Sequence, residues 1–486
     1  LAIMLAIPPS LFGAYFSSCR LLALFNIDCG GFAVSPRGIG FMILGGLLAP
    51  LLAALPAILR GATMNVRMAM ASYGLATDFG YNLFDRGLEK LAARFLPTLY
   101  AAALGNLFRR KARWLLTQSV LIIAGILFLV LMSLIASVNL TLDNETARSR
   151  YALRVGFSSD QPTQKVIAAT QVPAKNLELW RRLPITLLKN NGSIQQKGSL
   201  GLQVLALPAN TTLYQPLIES GRWLQAGDAG QRVLVLSADT AQLNNITVGD
   251  TVQARLGASQ QDWQVIGLYR WLAVSSYSVE PVYAPLATVE NLSQHQDLAS
   301  LALIAAPINT LSEEADYLRK LKQRFKDHGI QLDVYSTLAK LEQRQFARNQ
   351  FNPVIGTLFG LAAMIACVSG IGLSGAVAIS VLQRTREIGV LRAIGAPSTA
   401  IFRLFLMEGW LHVLCAWALT VPLAYLAAKP ISEELGKTML GIQLDFVFDA
   451  IAVLYWLGIL LMLAFLAAYW PAKKAAQLTV KESLGH

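Results

Sequence analysis

The sequence predicts an α-helical transmembrane bundle with an inserted α/β (α+β) extracytoplasmic domain, and three observations carry that expectation. The chain of 486 residues is 54% hydrophobic and only 14% charged, too apolar for an ordinary soluble enzyme and too charged for membrane helices alone. Apolar runs at 38–59, 115–138, 353–382, 404–428 and 451–470 reach the roughly 20 residues that a membrane helix needs. Residues 140–350 read differently, with near-balanced charge, alternating segments at 233–236, 251–256 and 263–268, and turn signals at Gly227, Asp228, Gly249 and Asp250. Such alternation between turns is the pattern of strands in a water-exposed domain.

Taken in order, residues 1–60 read as a partial span followed by a full one. The stretch 1–16 is apolar but short, is interrupted by Pro8 and Pro9, and starts without methionine, so it reads as the exit half of a helix in a chain that begins internally. Residues 61–113 form a linker. From Arg60 to Arg113 nine Lys or Arg stand against three acids, which by the positive-inside rule makes the connection cytoplasmic. Within it, residues 83–95 are amphipathic and suit either the membrane interface or a packed soluble helix. Residues 114–139 carry the chain outward into the domain at 140–350, whose polar helical end, 337–350, leads back into three membrane helices within 351–486. A loop at 429–449 lies outside, and Pro471, Lys473 and Lys474 end the last crossing inside.

Between the long run 353–382 and the next span lies a charged island, residues 384–396, reading RTREIGVLRAIGA. Ile388, Leu391 and Ile394 alternate with Arg384, Glu387 and Arg392, giving a short helix with one apolar and one polar face. Gly389 and Gly395 lower helix propensity, a cost that fits a place where another backbone approaches closely. Ser398 reads as the N-cap of the following helix. One turn apart on that helix, Glu408 and His412 form a candidate intramembrane polar pair, and ionisable groups at such depth are costly.

The net charge of +12 and pI near 9.6 sit beside apolar runs and so fit membrane orientation, not nucleic acid. The four cysteines and four histidines show no disulfide framework, metal-site spacing or catalytic motif. No phosphate-binding loop of the GxxxxGK(S/T) type occurs. The chain therefore reads as a non-enzyme with no catalytic residue, cofactor or metal of its own. An internal repeat also shows. Ile27 and Ile442 are 415 positions apart, as are Pro56 and Pro471; Asn26 and Gly441 precede the first pair, and Thr63, Val66, Thr479 and Val480 follow the second. The opening residues thus look like the tail of a first copy of the unit that follows whole.

Residues 384–396, with ALGNLFRRK at 103–111, FLMEG at 405–409 and WPAKKAA at 470–476, resemble ABC-transporter permeases of the FtsX/MacB type. In the outer domain, SGRW at 220–223, VGDTV at 248–252 and VIG at 265–267 resemble the MacB-like periplasmic domain. The resemblance implies a multi-pass protein of the bacterial inner membrane whose outer domain is periplasmic, driven by a cytoplasmic ABC ATPase dimer that binds the ATP and Mg. It implies that residues 384–396 are the coupling helix, with Arg384, Arg386, Glu387, Ile388, Gly389, Leu391, Arg392 and Gly395 at the ATPase contact. Export or extraction of a lipid, lipoprotein, peptide or amphiphile follows, with membrane lipid and a periplasmic adaptor or substrate protein as further partners. The alternative is an ATP-driven signalling or scaffold protein that activates a periplasmic partner such as a cell-wall hydrolase. The repeat resembles long permeases with two units in tandem, so a second unit is expected in this chain or another.

Overall fold

The computed structural model describes residues 2–24, 27–32, 35–62, 111–189, 192–196, 200–271, 279–440 and 443–477. The amphipathic stretch 83–95 and the repeat positions Asn26, Thr63, Val66, Gly441, Ile442, Thr479 and Val480 lie outside them. The chain divides into two units: Leu1–Met132, Asn352–Ala428 and Asp449–His486 in the first, Ser133–Phe351 and Lys429–Phe448 in the second.

The first unit is helical. Helix α1 spans Ala2–Leu24 and α2 spans Pro36–Ala62; α1 runs well past the apolar stretch 1–16, through Pro8 and Pro9. Because α1 ends and the chain turns back, Cys19 and Cys29 meet in a disulfide with Cα atoms 5.1 Å apart. The cysteine spacing gave no sign of this, since the pairing depends on the turn between them.

Helix α3 spans Lys111–Arg148. Four described helices are long and apolar enough to cross a membrane: Trp114–Arg148, Lys340–Gln383, Ser398–Thr438 and Ala450–Gln477. Their packing within the unit is close. A Cβ on Gly125 of α3 would lie 2.5 Å from Trp456 Nε1 and 2.6 Å from Thr420 Cγ2, so only glycine admits this approach of three helices. Phe128 stacks on Trp456 with ring centroids 5.2 Å apart, Gln118 donates to the His412 carbonyl at 3.0 Å, and Trp417 donates to the Val453 carbonyl at 3.0 Å.

The second unit is a mixed sheet. Its strands are β1 (Leu153–Pro162), β2 (Leu177–Pro184), β3 (Thr186–Lys189), β4 (Gly192–Ser193), β5 (Leu202–Leu207), β6 (Ile218–Gly221), β7 (Val233–Ser237), β8 (Thr251–Leu256), β9 (Ser259–Tyr269), β10 (Glu280–Pro285), β11 (Leu298–Ile304) and β12 (Leu332–Ala339). The order is β12-β1-β11-β2-β5-β10-β7-β9-β8-β3-β4, with β6 on β9. Pairs β5–β10 and β7–β9 are parallel. Helices α4 (Thr163–Thr170), α5 (Ala238–Leu243), α6 (Leu286–Ser293) and α7 (Leu311–Asp327) follow in chain order. Two clusters pack them on one face of the sheet: Leu153, Val155 and Phe157 against Val166, Leu321 and Phe325, and Leu234, Leu236 and Val282 against Ala241 and Val289. Alternate residues of the same strands, among them Trp180, Leu205, Tyr283, Leu301 and Leu303, form a separate aromatic-rich cluster, as the two-residue period of a strand requires.

Two boundaries differ from the sequence reading. Residues 337–339 belong to β12, and the helix, α8 (Lys340–Gln383), starts only at Lys340. Its first amides at Leu341 and Glu342 donate to the buried Glu314 carboxylate at 2.8 and 2.9 Å, a capping group brought in from α7. Helix α9 (Thr385–Ala393) is followed by α10 (Ser398–Leu440) and α11 (Ala450–Gln477). Much of the expected loop 429–449 is thus the end of α10, where Glu433 and Lys437 stand at the i,i+4 spacing that supports a helix.

Candidate functional site

The charged island folds as α9, shorter at both ends than 384–396. Arg384 is its N-cap, with φ −110° and ψ 18°. At the other end, Gly395 has φ +100°; its amide donates to the Arg392 carbonyl at 3.0 Å and the Ala396 amide to the Leu391 carbonyl at 2.9 Å. This pair of bonds is the Schellman stop, which needs a residue free to adopt positive φ. Gly395 is therefore a helix terminator, and nothing lies within 4 Å of where its Cβ would be; the expected close backbone approach is absent there.

Burial redistributes the predicted contact residues. Ile388 and Gly389 are buried within the first unit, and Leu391 is half-buried. Arg392 points inward: its Nη2 donates to Ser398 Oγ at 3.0 Å and to the Ala476 carbonyl of α11. The Ser398 hydroxyl is thus an acceptor for Arg392 and not the N-cap of α10, whose first bonds go to the Pro397 carbonyl. Outward stand Arg386, Glu387 and Val390, with Ile394 76% exposed. Ile394, expected on the apolar face with Ile388, is on the open side of the stop.

Arg384 ties α9 to its neighbours. Its Nε donates to Glu387 at 2.6 Å, its Nη1 lies 3.6 Å from Glu408 Oε2, and its guanidinium stands 5.6 Å from the Phe405 ring centroid. Glu408 is only 5% exposed and accepts a hydrogen bond from Ser380 Oγ of α8 at 2.8 Å. The expected Glu408–His412 pair takes another form: His412 Nδ1 lies 2.9 Å from the Glu408 backbone carbonyl. The carboxylate instead joins α8, α9 and α10 through Ser380 and Arg384, a triad that sequence spacing along one helix does not reveal. Among the described residues no group of three or more His, Cys, Asp or Glu converges as a metal site requires.

The second unit holds another junction absent from the sequence reading. Ser137 and Thr141 of α3 accept hydrogen bonds from the Val447 and Asp445 amides at 3.0 and 2.8 Å. Asp445 accepts from Asn144 at 2.7 Å and faces Arg270 Nη1 at 3.1 Å, while Arg270 also donates to the Gln443 carbonyl at 3.0 Å. Burial works against the Asp445 charge, but these bonds and the positive charge of Arg270 hold its carboxyl below the usual range. The stretch after α10 is therefore fastened to α3 and to the end of β9.

Comparisons with known proteins follow the same division. Residues 115–321 match the family described as MacB-like periplasmic core domain, and residues 359–480 match FtsX-like permease C-terminal. The chain is 36% identical over 124 residues to the macrolide export ATP-binding/permease protein MacB of Shewanella oneidensis, covering 26% of this chain and 18% of that protein. It is 24% identical over 283 residues to an uncharacterized ABC transporter permease, MJ1507, of Methanocaldococcus jannaschii, covering 55% of this chain and 65% of that one. It thus spans less than two thirds of either relative. The crystal structure of the periplasmic region of MacB from Actinobacillus actinomycetemcomitans aligns over 41% of this chain and 95% of that one, at 14% identity and a TM-score of 0.28. The two matched domains lie in the order, and over the helices and sheet, described above, and the chain belongs to the ABC-transporter permeases of the MacB/FtsX type.

Proposed function

We propose that this permease couples ATP hydrolysis by a separate cytoplasmic ABC ATPase, which binds ATP and Mg, to movement of its outer domain in the export or extraction of a lipid, lipoprotein, peptide or amphiphile. The observation that carries the reading is α9. It is a short helix fixed on one side by Ile388, Arg384 and Arg392 and presenting Arg386, Glu387, Val390 and Ile394 on the other. Exposed apolar groups rimmed by charge are the surface chemistry of a protein contact.

Membrane orientation follows from two opposed signals. The Cys19–Cys29 disulfide suits the oxidising side, and the basic linker that follows α2 suits the cytoplasm of a bacterial inner membrane. The second unit is then periplasmic and α9 cytoplasmic. A second permease unit, in this chain or a partner, completes the pair that an ATPase dimer would drive.

The test is the double variant Arg386→Glu with Ile394→Asp, both at exposed positions. Export coupled to the co-expressed ATPase should fall at least tenfold, as expected for losing interface anchors, while membrane insertion measured by fractionation is unchanged. Undiminished export would reject α9 as the ATPase contact.

A further inference from the structure

The sheet face opposite α4–α7 is not filled by a helix layer. Within the second unit it borders a cavity of about 810 Å³, closed on its other sides by the last turns of α3 and the first turns of α8. That volume lies in the range of roughly 300–1,000 Å³ typical of small-molecule sites.

Strand register builds its floor. Arg182 of β2, Leu205 of β5 and Tyr283 of β10 stand in one cross-strand row; Trp180 and Leu301 stand in another, and Arg154 and Leu303 in a third. The hydroxyls of Tyr214 and Tyr283 lie 3.2 Å apart. Burial raises both phenols well above their ordinary range, so they act as neutral hydrogen-bonding groups. At the mouth stand Leu200, Phe346 and Tyr335, the last 95% exposed, an apolar rim open to an entering molecule.

Charge selects the ligand. Five of the lining residues are basic and two acidic, and most of these charges are already spent: Arg182 pairs with Asp333, Arg270 with Asp445, Arg344 with Asp143 and Glu145 with Arg148. Arg154 is the exception. Its Nε is buried with no hydrogen-bond partner among the described residues, and a buried guanidinium short of acceptors is a site prepared for an anion.

We propose that this cavity binds an amphiphile with one anionic group, its apolar body against Trp180, Leu205, Tyr283 and Leu303 and its carboxylate, sulfonate or phosphate on Arg154. As a place where cargo is received, the site rests on the permease reading; as a binding site it rests on the second unit alone. The test therefore needs no ATPase, and its failure leaves the α9 experiment untouched.

The full chain in phosphatidylcholine nanodiscs is titrated with 11-(dansylamino)undecanoic acid and with its neutral amide, following dansyl emission. The acid should bind saturably at one site per chain. Arg154→Gln should weaken the acid about tenfold, the worth of one charge-assisted hydrogen bond, and leave the amide within about twofold of wild type. Leu303→Trp, which fills the floor, should abolish both; if that variant does not fold, Tyr335→Ala at the exposed mouth should weaken both severalfold. Replacing part of the lipid with phosphatidylglycerol separates two sources of the ligand: competition assigns the site to a membrane phospholipid, and no competition to a free amphiphile. Equal acid affinity in wild type and a folded Arg154→Gln, or a signal unchanged in both floor and mouth variants, overturns the proposal.

Discussion

At Glu408 a carboxylate sits where water does not reach, and its neighbours are a hydroxyl from α8 and a guanidinium at the start of α9. Glu408→Gln keeps an acceptor for Ser380 but leaves Arg384 facing a neutral amide. The expected cost is about 2 kcal/mol, the penalty for leaving a buried charge short of its partner, read as a lowered thermal midpoint in detergent. Adding Arg384→Gln should recover part of that loss, because removing both members of a buried pair costs less than removing one; a double variant weaker than either single one would refute the pairing. A second residue pair makes stability depend on pH. Asp228 receives hydrogen bonds from Arg222 at 2.6 and 2.7 Å and from the Gln225 amide at 2.8 Å, and the Arg222 bonds above all hold its carboxyl below the usual range. A carboxylate with a depressed folded pKa adds stability above its unfolded value, about 3.9, and loses it as pH falls through the folded one. Asp228→Asn should therefore be less stable than wild type near neutrality, with the gap closing below about pH 4, as followed by tryptophan fluorescence. A gap that stays constant into acid would show that the carboxylate charge contributes nothing.

At the scale of elements, the membrane helices were legible because length and apolarity are local properties of a chain, and the strands β7, β8 and β9 because alternation is local too. What joins elements was not. Ser137 and Thr141 read as ordinary small residues in an apolar run, and Asp445 as one acid in a loop; only the folded chain sets all three against one another. Gly395 was visible as a helix-weakening residue, but whether glycine serves a close approach or a stop depends on its φ. The same holds for Cys19 and Cys29, whose meeting depends on the turn after α1. The Arg270–Asp445 contact is measurable as an element-level clasp. Side chains there are 18% and 23% exposed, so water screens the pair in part, and a double-mutant cycle with Arg270→Gln and Asp445→Asn should give a coupling of about 1 kcal/mol. A coupling indistinguishable from zero would leave the stretch 443–449 held by the Ser137 and Thr141 hydroxyls alone.

For the whole molecule, the two units are made of one chain whose helices belong to both. Helix α3 has 38 residues and α8 has 44, roughly 57 and 66 Å at 1.5 Å per residue, about twice the 30 Å hydrocarbon core of a bilayer. An unbroken α-helix hydrogen-bonds every turn to the next, so a tilt imposed on one part reaches the rest without a change of fold. A flexible break removes that property while leaving each unit its own core. Three glycines inserted between Phe351 and Asn352, where the division between the units falls on α8, supply such a break. Under the coupling reading, the variant should insert in the membrane and keep the wild-type protease-resistant outer fragment, yet lose nearly all ATP-dependent export. A matched insertion of three alanines, which extends the helix and rotates one end by most of a turn, should retain continuity and so separate lost stiffness from lost register. If the glycine variant exported normally, α8 would be a tether, and motion would have to pass through α3 or through the clasp around Asp445.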